Sequence, residues 1–398
     1  MGEQLTWRTR LLGELAEFRN GVNFDRHSFG KGVKIVGVRD FQDFLKPRYE
    51  DLEEIDPQGV VNERHLLQDE DIIFVRSNGN RELIGRSLYI EKPPVNTTHS
   101  AFTIRLRFNS REAFPRFFAY MFRTPLIRNL LTAHGGGTNI SNLTQDILKE
   151  MKVPLPPLSV QKQIASILSA YDDLIEGNTR RIQILGEMAK DIYRAWFVDF
   201  HFPGSEGVKR TSHHGREIPE GWEVRKLGDA IELMYGKGLK SSDRIAGLFP
   251  VYGSSGIVGY HDKALVEGPG VIVGRKGNVG SVFWSSDSFF PIDTVFYVRT
   301  KISLPYVYYN LQLQNFLNKD AAVPGLGRMQ AYLNDFIIPP SELLQSFETT
   351  VWPLLQQIHN LSKANSVLAQ TRDFFLPKIF LGEIDLTDLD TRDLELNS

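Results

Sequence analysis

The feature that most constrains this chain is that it repeats itself. Trp7-Arg8-Thr9-Arg10-Leu11-Leu12-Gly13-Glu14 returns without a gap as Trp222-Glu223-Val224-Arg225-Lys226-Leu227-Gly228-Asp229, with four identities and one acid-for-acid exchange. Asp71-Ile72-Ile73-Phe74-Val75-Arg76 has a counterpart in Gly270-Val271-Ile272-Val273-Gly274-Arg275. Both are short apolar runs that enter a Gly-containing loop, Ser77-Asn78-Gly79-Asn80 and Lys276-Gly277-Asn278, and so predict buried strands. Each half then closes on a proline pair, Pro156-Pro157 or Pro339-Pro340, followed by a long helical pattern. Matches in this shared order define an architecture of domain, helix, domain, helix.

The helical segments carry the strongest periodicity. Ile164, Leu168, Tyr171, Ile175, Asn178, Ile182, Leu185, Ala189, Ile192 and Trp196 alternate spacings of four and three, a heptad seam apolar at every position but Asn178. The matching second series is Phe347, Val351, Leu354, Ile358, Leu361, Asn365, Leu368, Arg372, Phe375 and Ile379. Ser159 and Ser341 are the expected N-caps, and Pro353 is expected to kink or loosen the second helix. One Asn in each seam suggests a register device. With the helices antiparallel and Asn178 facing Asn365, Ile164 meets Ile379, Leu168 meets Phe375 and Trp196 meets Phe347. Tyr171 then meets Arg372, as a cation on an aromatic face. A parallel pairing in the repeat register would bury each Asn against Leu361 or Ile182, which leaves its amide unsatisfied.

Within the domains, 114–131 and 305–317 are the expected helices, and strands between Gly-rich turns predict mixed α+β units with a curved sheet. The segment 201–221, which contains His213 and His214, reads as a linker. No apolar run approaches ~18 residues, no signal-peptide pattern opens the chain, and there is no cysteine, so a cytoplasmic protein without disulfides is expected. The net charge of −2 argues mildly against a nucleic-acid binder. Its distribution softens that objection: residues 1–157 and 222–340 each carry a net +2, and 341–398 a net −5.

No reactive constellation stands out. The Lys of Gly274-Arg275-Lys276-Gly277-Asn278-Val279-Gly280-Ser281 is misplaced for a phosphate loop, and no G-x-G-x-x-G follows a strand. Glu150-Met151-Lys152 supplies half of a nuclease metal motif with no Pro-Asp before it. Asp172, Asp173 and Glu176 fall outside the apolar seam and read as its solvated face.

With these residues on view, the chain resembles the specificity subunit of type I restriction–modification systems over nearly its full length. The most specific stretches are Val153-Pro154-Leu155-Pro156-Pro157-Leu158, entering the first helix, and Tyr193-Arg194-Ala195-Trp196-Phe197-Val198-Asp199-Phe200, ending it. Pro250-Val251-Tyr252-Gly253-Ser254-Ser255-Gly256, Pro291-Ile292-Asp293-Thr294 and Val323-Pro324-Gly325-Leu326 are similar to one recurrent recognition-domain type. Leu376-Pro377-Lys378-Ile379-Phe380-Leu381-Gly382-Glu383-Ile384 resembles the closing motif. Where the family often has Glu-Gln after its prolines, this chain has Val160-Gln161 and Leu343-Leu344.

The resemblance implies an α+β fold, with two repeated target-recognition domains separated by a long antiparallel two-helix coiled coil. The expected divisions are a first recognition domain at 1–157, a first spacer helix at 158–200 and the linker at 201–221. A second recognition domain at 222–340, a second spacer helix at 341–382 and an acidic tail at 383–398 follow. A helix of about 40 residues would span roughly 60 Å. The function implied is reading a bipartite site in double-stranded DNA and positioning two modification (methyltransferase) subunits and the restriction/translocase subunits, with no membrane partner. The chain itself would be non-catalytic and hold no cofactor or metal. S-adenosylmethionine, ATP and Mg would belong to the partner subunits of the adenine methyltransferase and ATP-dependent endonuclease complex. A methylation-only or other phage-defence complex stays open, as does an enzyme with its own nuclease or methyltransferase site.

Arg suits guanine, Asn suits adenine, and Gly lets a backbone approach a phosphate. The candidate DNA contacts are therefore Arg76, Ser77, Asn78, Asn80 and Arg81 in the first domain, with Gly136, Thr138 and Asn139 in its Gly-rich loop. In the second they are Tyr252, Ser254, Ser255, Arg275, Lys276 and Arg328.

Overall fold

A computed structural model describes residues 7–24, 28–41, 44–133, 142–213, 215–316, 325–380 and 383–384. The chain divides into two compact units, residues 1–176 with 366–398, and residues 177–365.

In the first unit the strands are β1 (Thr9–Leu11), β2 (Ala16–Asn20), β3 (Phe29–Val36), β4 (Glu53–Ile55), β5 (Ile72–Val75), β6 (Ser87–Tyr89), β7 (Thr97–His99), β8 (Thr103–Phe108) and β9 (Lys152–Pro154). The helices are α1 (Pro115–Met121), α2 (Pro125–Ala133), α3 (Gln145–Glu150) and the start of α4 (Leu158–Phe197). An antiparallel sheet runs β2-β8-β5-β6, and a second sheet runs β4-β3-β7 with β3 and β7 parallel. β1 pairs with β9. The helix expected at 114–131 is two helices, because Pro125 lacks an N–H and disfavours a helical residue before it. The Thr124 hydroxyl bridges the break by donating to the Met121 carbonyl at 2.7 Å.

The second unit adds a hairpin, β10 (Arg210–His213) with β11 (Arg216–Pro219). It continues through β12 (Glu223–Lys226), α5 (Leu227–Ala230), β13 (Ile231–Tyr235), β14 (Phe249–Gly253), β15 (Gly256–His261), β16 (Gly270–Gly274), β17 (Val282–Ser285), β18 (Phe290–Pro291) and β19 (Val295–Thr300). It closes with α6 (Leu304–Leu313), α7 (Arg328–Ala331), β20 (Asp335–Ile338) and α8 (Ser341–Phe380), whose last part lies in the first unit. Its sheets run β13-β19-β16-β17 and β15-β14-β18, with β14 and β18 parallel, and β12 pairs with β20. Strand for strand this is the topology of the first unit.

The shared sequence motif explains part of that identity. Leu12 and Leu227 are both fully buried. The Leu12 N–H donates to the Met151 carbonyl, and the Leu227 N–H to that of Asn334. A Cβ at Gly13 would meet Lys149 at 2.9 Å, and one at Gly228 would meet Tyr332 at 2.7 Å, so both turns require glycine.

The long helices pair antiparallel within each unit. In the second, Asn178 Nδ2 donates to Asn365 Oδ1 at 2.9 Å, and Trp196 packs edge-on against Phe347. The expected register therefore stands there. In the first unit, Ile164, Leu168 and Ile379 share the main core. Arg372 does not stack on Tyr171; it forms an ion pair with Asp172, which also accepts the Tyr120 hydroxyl at 2.6 Å. Asp172, read as solvated, is nearly buried because α1 covers that side of the helix.

Other local expectations shift. α4 starts at Leu158, which puts Ser159 inside the helix, and Ser341 is the first residue of α8. α8 stays helical through Pro353. The 201–221 segment carries the hairpin and a packed end, with Ile218 and Trp222 buried among Phe197 and Phe200.

Candidate nucleic-acid interface

In each unit an arginine follows the central strand of the four-stranded sheet, and its backbone is held by three equivalent hydrogen bonds. Arg76 N and Ser77 N donate to the Phe102 carbonyl at 2.7 and 3.3 Å, and Leu143 N donates to the Arg76 carbonyl at 2.9 Å. In the second unit Arg275 N and Lys276 N donate to the Thr294 carbonyl at 2.9 and 3.1 Å, and Leu326 N to the Arg275 carbonyl at 2.8 Å. With N–H and C=O groups used this way, the loop backbone is fixed and the side chain is left to carry chemistry.

Around Arg275 the second unit gathers several candidates. The Arg275 guanidinium lies 4.8 Å from the Tyr235 ring centre, and the Arg328 guanidinium lies 5.1 Å from the same ring. Lys276 Nζ is 3.7 Å from the Asp293 carboxylate. The Ser254 carbonyl accepts the Ser281 hydroxyl at 2.7 Å, and a Cβ at Gly277 would sit 3.0 Å from Ser254 Oγ. Ser254 is half-buried and Ser255 exposed. Tyr252 is a different case: its ring is buried against Phe289 and its hydroxyl reaches the Trp284 carbonyl at 3.4 Å. Burial raises its phenol pKa, and its place is the core under the turn. Tyr252 belongs to β14, a strand buried on both faces there, and not to the loop.

In the first unit Arg76, Ser77 and Asn78 are half-buried, and Asn80 and Arg81 are exposed. Asn78 Oδ1 accepts from Asn80 N at 2.8 Å, and Asn80 Oδ1 accepts from Glu82 N at 3.0 Å. Bidentate recognition of adenine needs both ends of a carboxamide. Here each oxygen already holds the turn, so these two asparagines suit donation through Nδ2. Arg128 braces the same loop by donating to the carbonyls of Ile84 and Glu82 at 3.0 and 2.8 Å. Burial, then the like charges of Arg86 and Arg123, push its guanidinium down to about 10. Such a cluster of like charges favours an anionic neighbour. Gly136, Thr138 and Asn139 lie outside the described residues.

Three further residues belong to this geometry and were not legible beforehand: Asn20, Gln145 and Tyr235. Gln145 Nε2 donates to Asn20 Oδ1 at 3.0 Å, beside the Arg76 loop. None sits in a motif; tertiary packing alone brings the start of α3 to the end of β2, and that of α7 to the end of β13. Among the described residues no group of three or more His, Asp or Glu could hold a metal ion. No helix among them is long and apolar enough to cross a membrane.

The described parts thus form two α/β units of one topology, each with an anchored arginine loop after an inner strand of its four-stranded sheet and without a metal cluster. The chain belongs to the family described as "Type I restriction modification DNA specificity domain", matched over residues 4–185 and 219–334. It is 28% identical over 306 residues to the type I restriction enzyme MjaIX specificity subunit of Methanocaldococcus jannaschii, which covers 68% of this chain and 69% of that protein. It is 31% identical over 229 residues to the putative MjaX specificity subunit of the same organism, covering 56% of this chain and about half, 52%, of that one. In fold it is similar to the type I restriction–modification S subunit from M. genitalium, with a TM-score of 0.59 at 17% identity over 97% of this chain and 98% of that one.

Proposed function

We propose that each unit reads one half of a bipartite double-stranded DNA site, and that the complete chain positions modification and restriction subunits on that DNA. The observation that carries this reading is the anchored arginine loop, built twice with the same three backbone hydrogen bonds. Two copies of one reader with different side chains suit a site made of two different halves. Arg76, Ser77, Asn78, Asn80 and Arg81 form the contact set of the first unit, and Ser254, Ser255, Arg275, Lys276 and Arg328 that of the second. Some of these contacts go to phosphates and fix orientation, and others go to base edges. Methyl transfer to an adenine requires the base to leave the stack, which is work for a partner with its own pocket and methyl donor. S-adenosylmethionine, ATP and Mg then belong to those partners, and this chain acts without a cofactor.

The test is reconstitution with modification subunits, followed by single-molecule mapping of methylated plasmid DNA. A split consensus is expected, together with no methyl transfer by the purified chain alone. Methylation or cleavage by the chain alone would overturn the reading. Omitting the restriction subunit separates methylation from restriction.

A further inference from the structure

The topological match permits a position-by-position comparison of the two readers. β2 ends at Asn20, opposite Ile104 of β8, and β13 ends at Tyr235, opposite Phe296 of β19. Arg76 follows β5 and Arg275 follows β16. Gln145 opens α3 after its cap at Thr144, and Arg328 opens α7 after its cap at Gly327. The three positions are thus Asn20, Arg76 and Gln145 in one unit and Tyr235, Arg275 and Arg328 in the other.

At two of these positions the residues differ completely, yet they touch in both units. Gln145 meets Asn20 by a hydrogen bond of 3.0 Å, and Arg328 meets Tyr235 by a cation–π contact of 5.1 Å. The arginine after the central strand is common to both. Resting on the proposal that the units read DNA, we infer that this triplet is where the two half-sites become different. Gln145 selects an adenine, and Arg328 selects a guanine.

The chemistry follows from what each contact leaves over. Gln145 uses one Nε2 hydrogen on Asn20, so Oε1 and the second Nε2 hydrogen remain. Those match the N6 donor and N7 acceptor of adenine in the major groove. Asn20 is a positioning residue that fixes which way the carboxamide faces. Arg328 has a buried Nε with no hydrogen-bond partner among the described residues, and ring stacking is what holds it. Its terminal nitrogens form a fork suited to O6 and N7 of guanine. Tyr235 lies within cation–π distance of both guanidinium groups and so gives Arg275 and Arg328 a common ring partner.

The experiment uses the full chain with modification subunits and compares wild type with Gln145→Ala, Arg328→Ala and Arg328→Lys by methylation mapping and by binding to site-variant duplexes. Gln145→Ala is expected to erase an A·T preference in one half-site only, and Arg328→Ala a G·C preference in the other. Each should reduce discrimination at that position roughly five- to 150-fold. Arg328→Lys keeps the charge and the ring contact but loses the fork, so it should fail to restore the guanine preference. Equal weakening on every sequence would mean a phosphate contact and overturn the inference. A guanine preference fully restored by Lys would show that the guanidinium fork does not make the selection and overturn it as well. An unchanged consensus in the variants would overturn it too. A wild-type complex with no split consensus would instead bring down the parent reading, and the inference with it.

Discussion

The two units share a topology and disagree about what fills it. In the first, charged pairs are set among the apolar residues of the sheet. Asp71 is fully buried, and Arg107 donates to both its carboxylate oxygens at 2.6 and 2.7 Å. Arg105, 2% exposed, donates to Glu17 and to the Arg64 carbonyl. In the second unit the strand register puts Gly270 where Asp71 stands, Tyr297 where Arg105 stands and Arg299 where Arg107 stands. The long helices repeat the contrast. The first unit joins Asp172 to Arg372, whereas the matching positions of the second are Leu355 and Ala189, both buried and apolar. The lesson is that backbone pairing and a few glycine and leucine positions specify this fold, while its interior tolerates either charge pairs or apolar packing.

The largest effect that could break this comparison is at Arg107. Arg107→Ala leaves the buried Asp71 carboxylate without its counter-ion and should destabilise the first unit by about 3–5 kcal/mol. Hydrogen exchange should show this as lost protection in β5 and β8 with β16 and β19 unchanged. Arg299→Ala in the second unit should cost no more than about 0.5 kcal/mol. Equal losses in the two units would show that the charged pair is incidental.

Asp172→Ala should cost about 2–3 kcal/mol, because it leaves Arg372, 16% exposed, with only the exposed Asp373 as counter-ion and takes the acceptor from the buried Tyr120 hydroxyl. The triple variant Asp172→Leu, Arg372→Ala and Tyr120→Phe installs the apolar pair found in the other unit and removes the hydroxyl that Asp172 accepts, and it should recover most of the loss. A triple variant as unstable as the single would mean that charge at this layer is required.

A smaller and pH-dependent difference sits at His99, whose counterpart is Pro291. The Thr103 hydroxyl donates to the Ser100 carbonyl at 2.7 Å, so His99 Nδ1, 2.9 Å from that hydroxyl, is the protonated nitrogen of a neutral ring. Burial, then the charges of Arg105, His65, Arg107 and Arg19, push it down to about 3. The unfolded chain takes up a proton near pH 6.5, and the folded unit does not until near pH 3. Stability of the first unit should therefore fall between those values as pH drops, by up to about 1.4 kcal/mol per pH unit. His99→Gln should flatten that slope, measured by unit-resolved exchange at pH 7 and pH 5. A slope that survives the substitution would assign the acid sensitivity to another group.

The smallest expected effect is at the paired amides. Asn178→Ala removes one partner of a half-exposed hydrogen bond and should cost about 1 kcal/mol in the second unit alone. Disulfide trapping between cysteines introduced at 178 and 365 would report whether the register is kept.

The sequence by itself determined the duplication, the antiparallel register and the two arginine loops. Each is encoded locally or by a repeat: a heptad fixes a helix face, a lone Asn in each seam fixes a layer, and an apolar run followed by Arg marks a strand end. Tertiary structure alone decided which side chains stand beside those arginines. Asn20 and Gln145 are 125 positions apart, and Tyr235 and Arg328 are distant as well, so no window of sequence contains either pair. It also decided that Tyr252 faces the core and that Asp172 is covered by α1, because burial depends on what packs from elsewhere in the chain. Local periodicity sets which way a side chain points along its own element, and only the long-range pairing of strands and helices sets what it meets there.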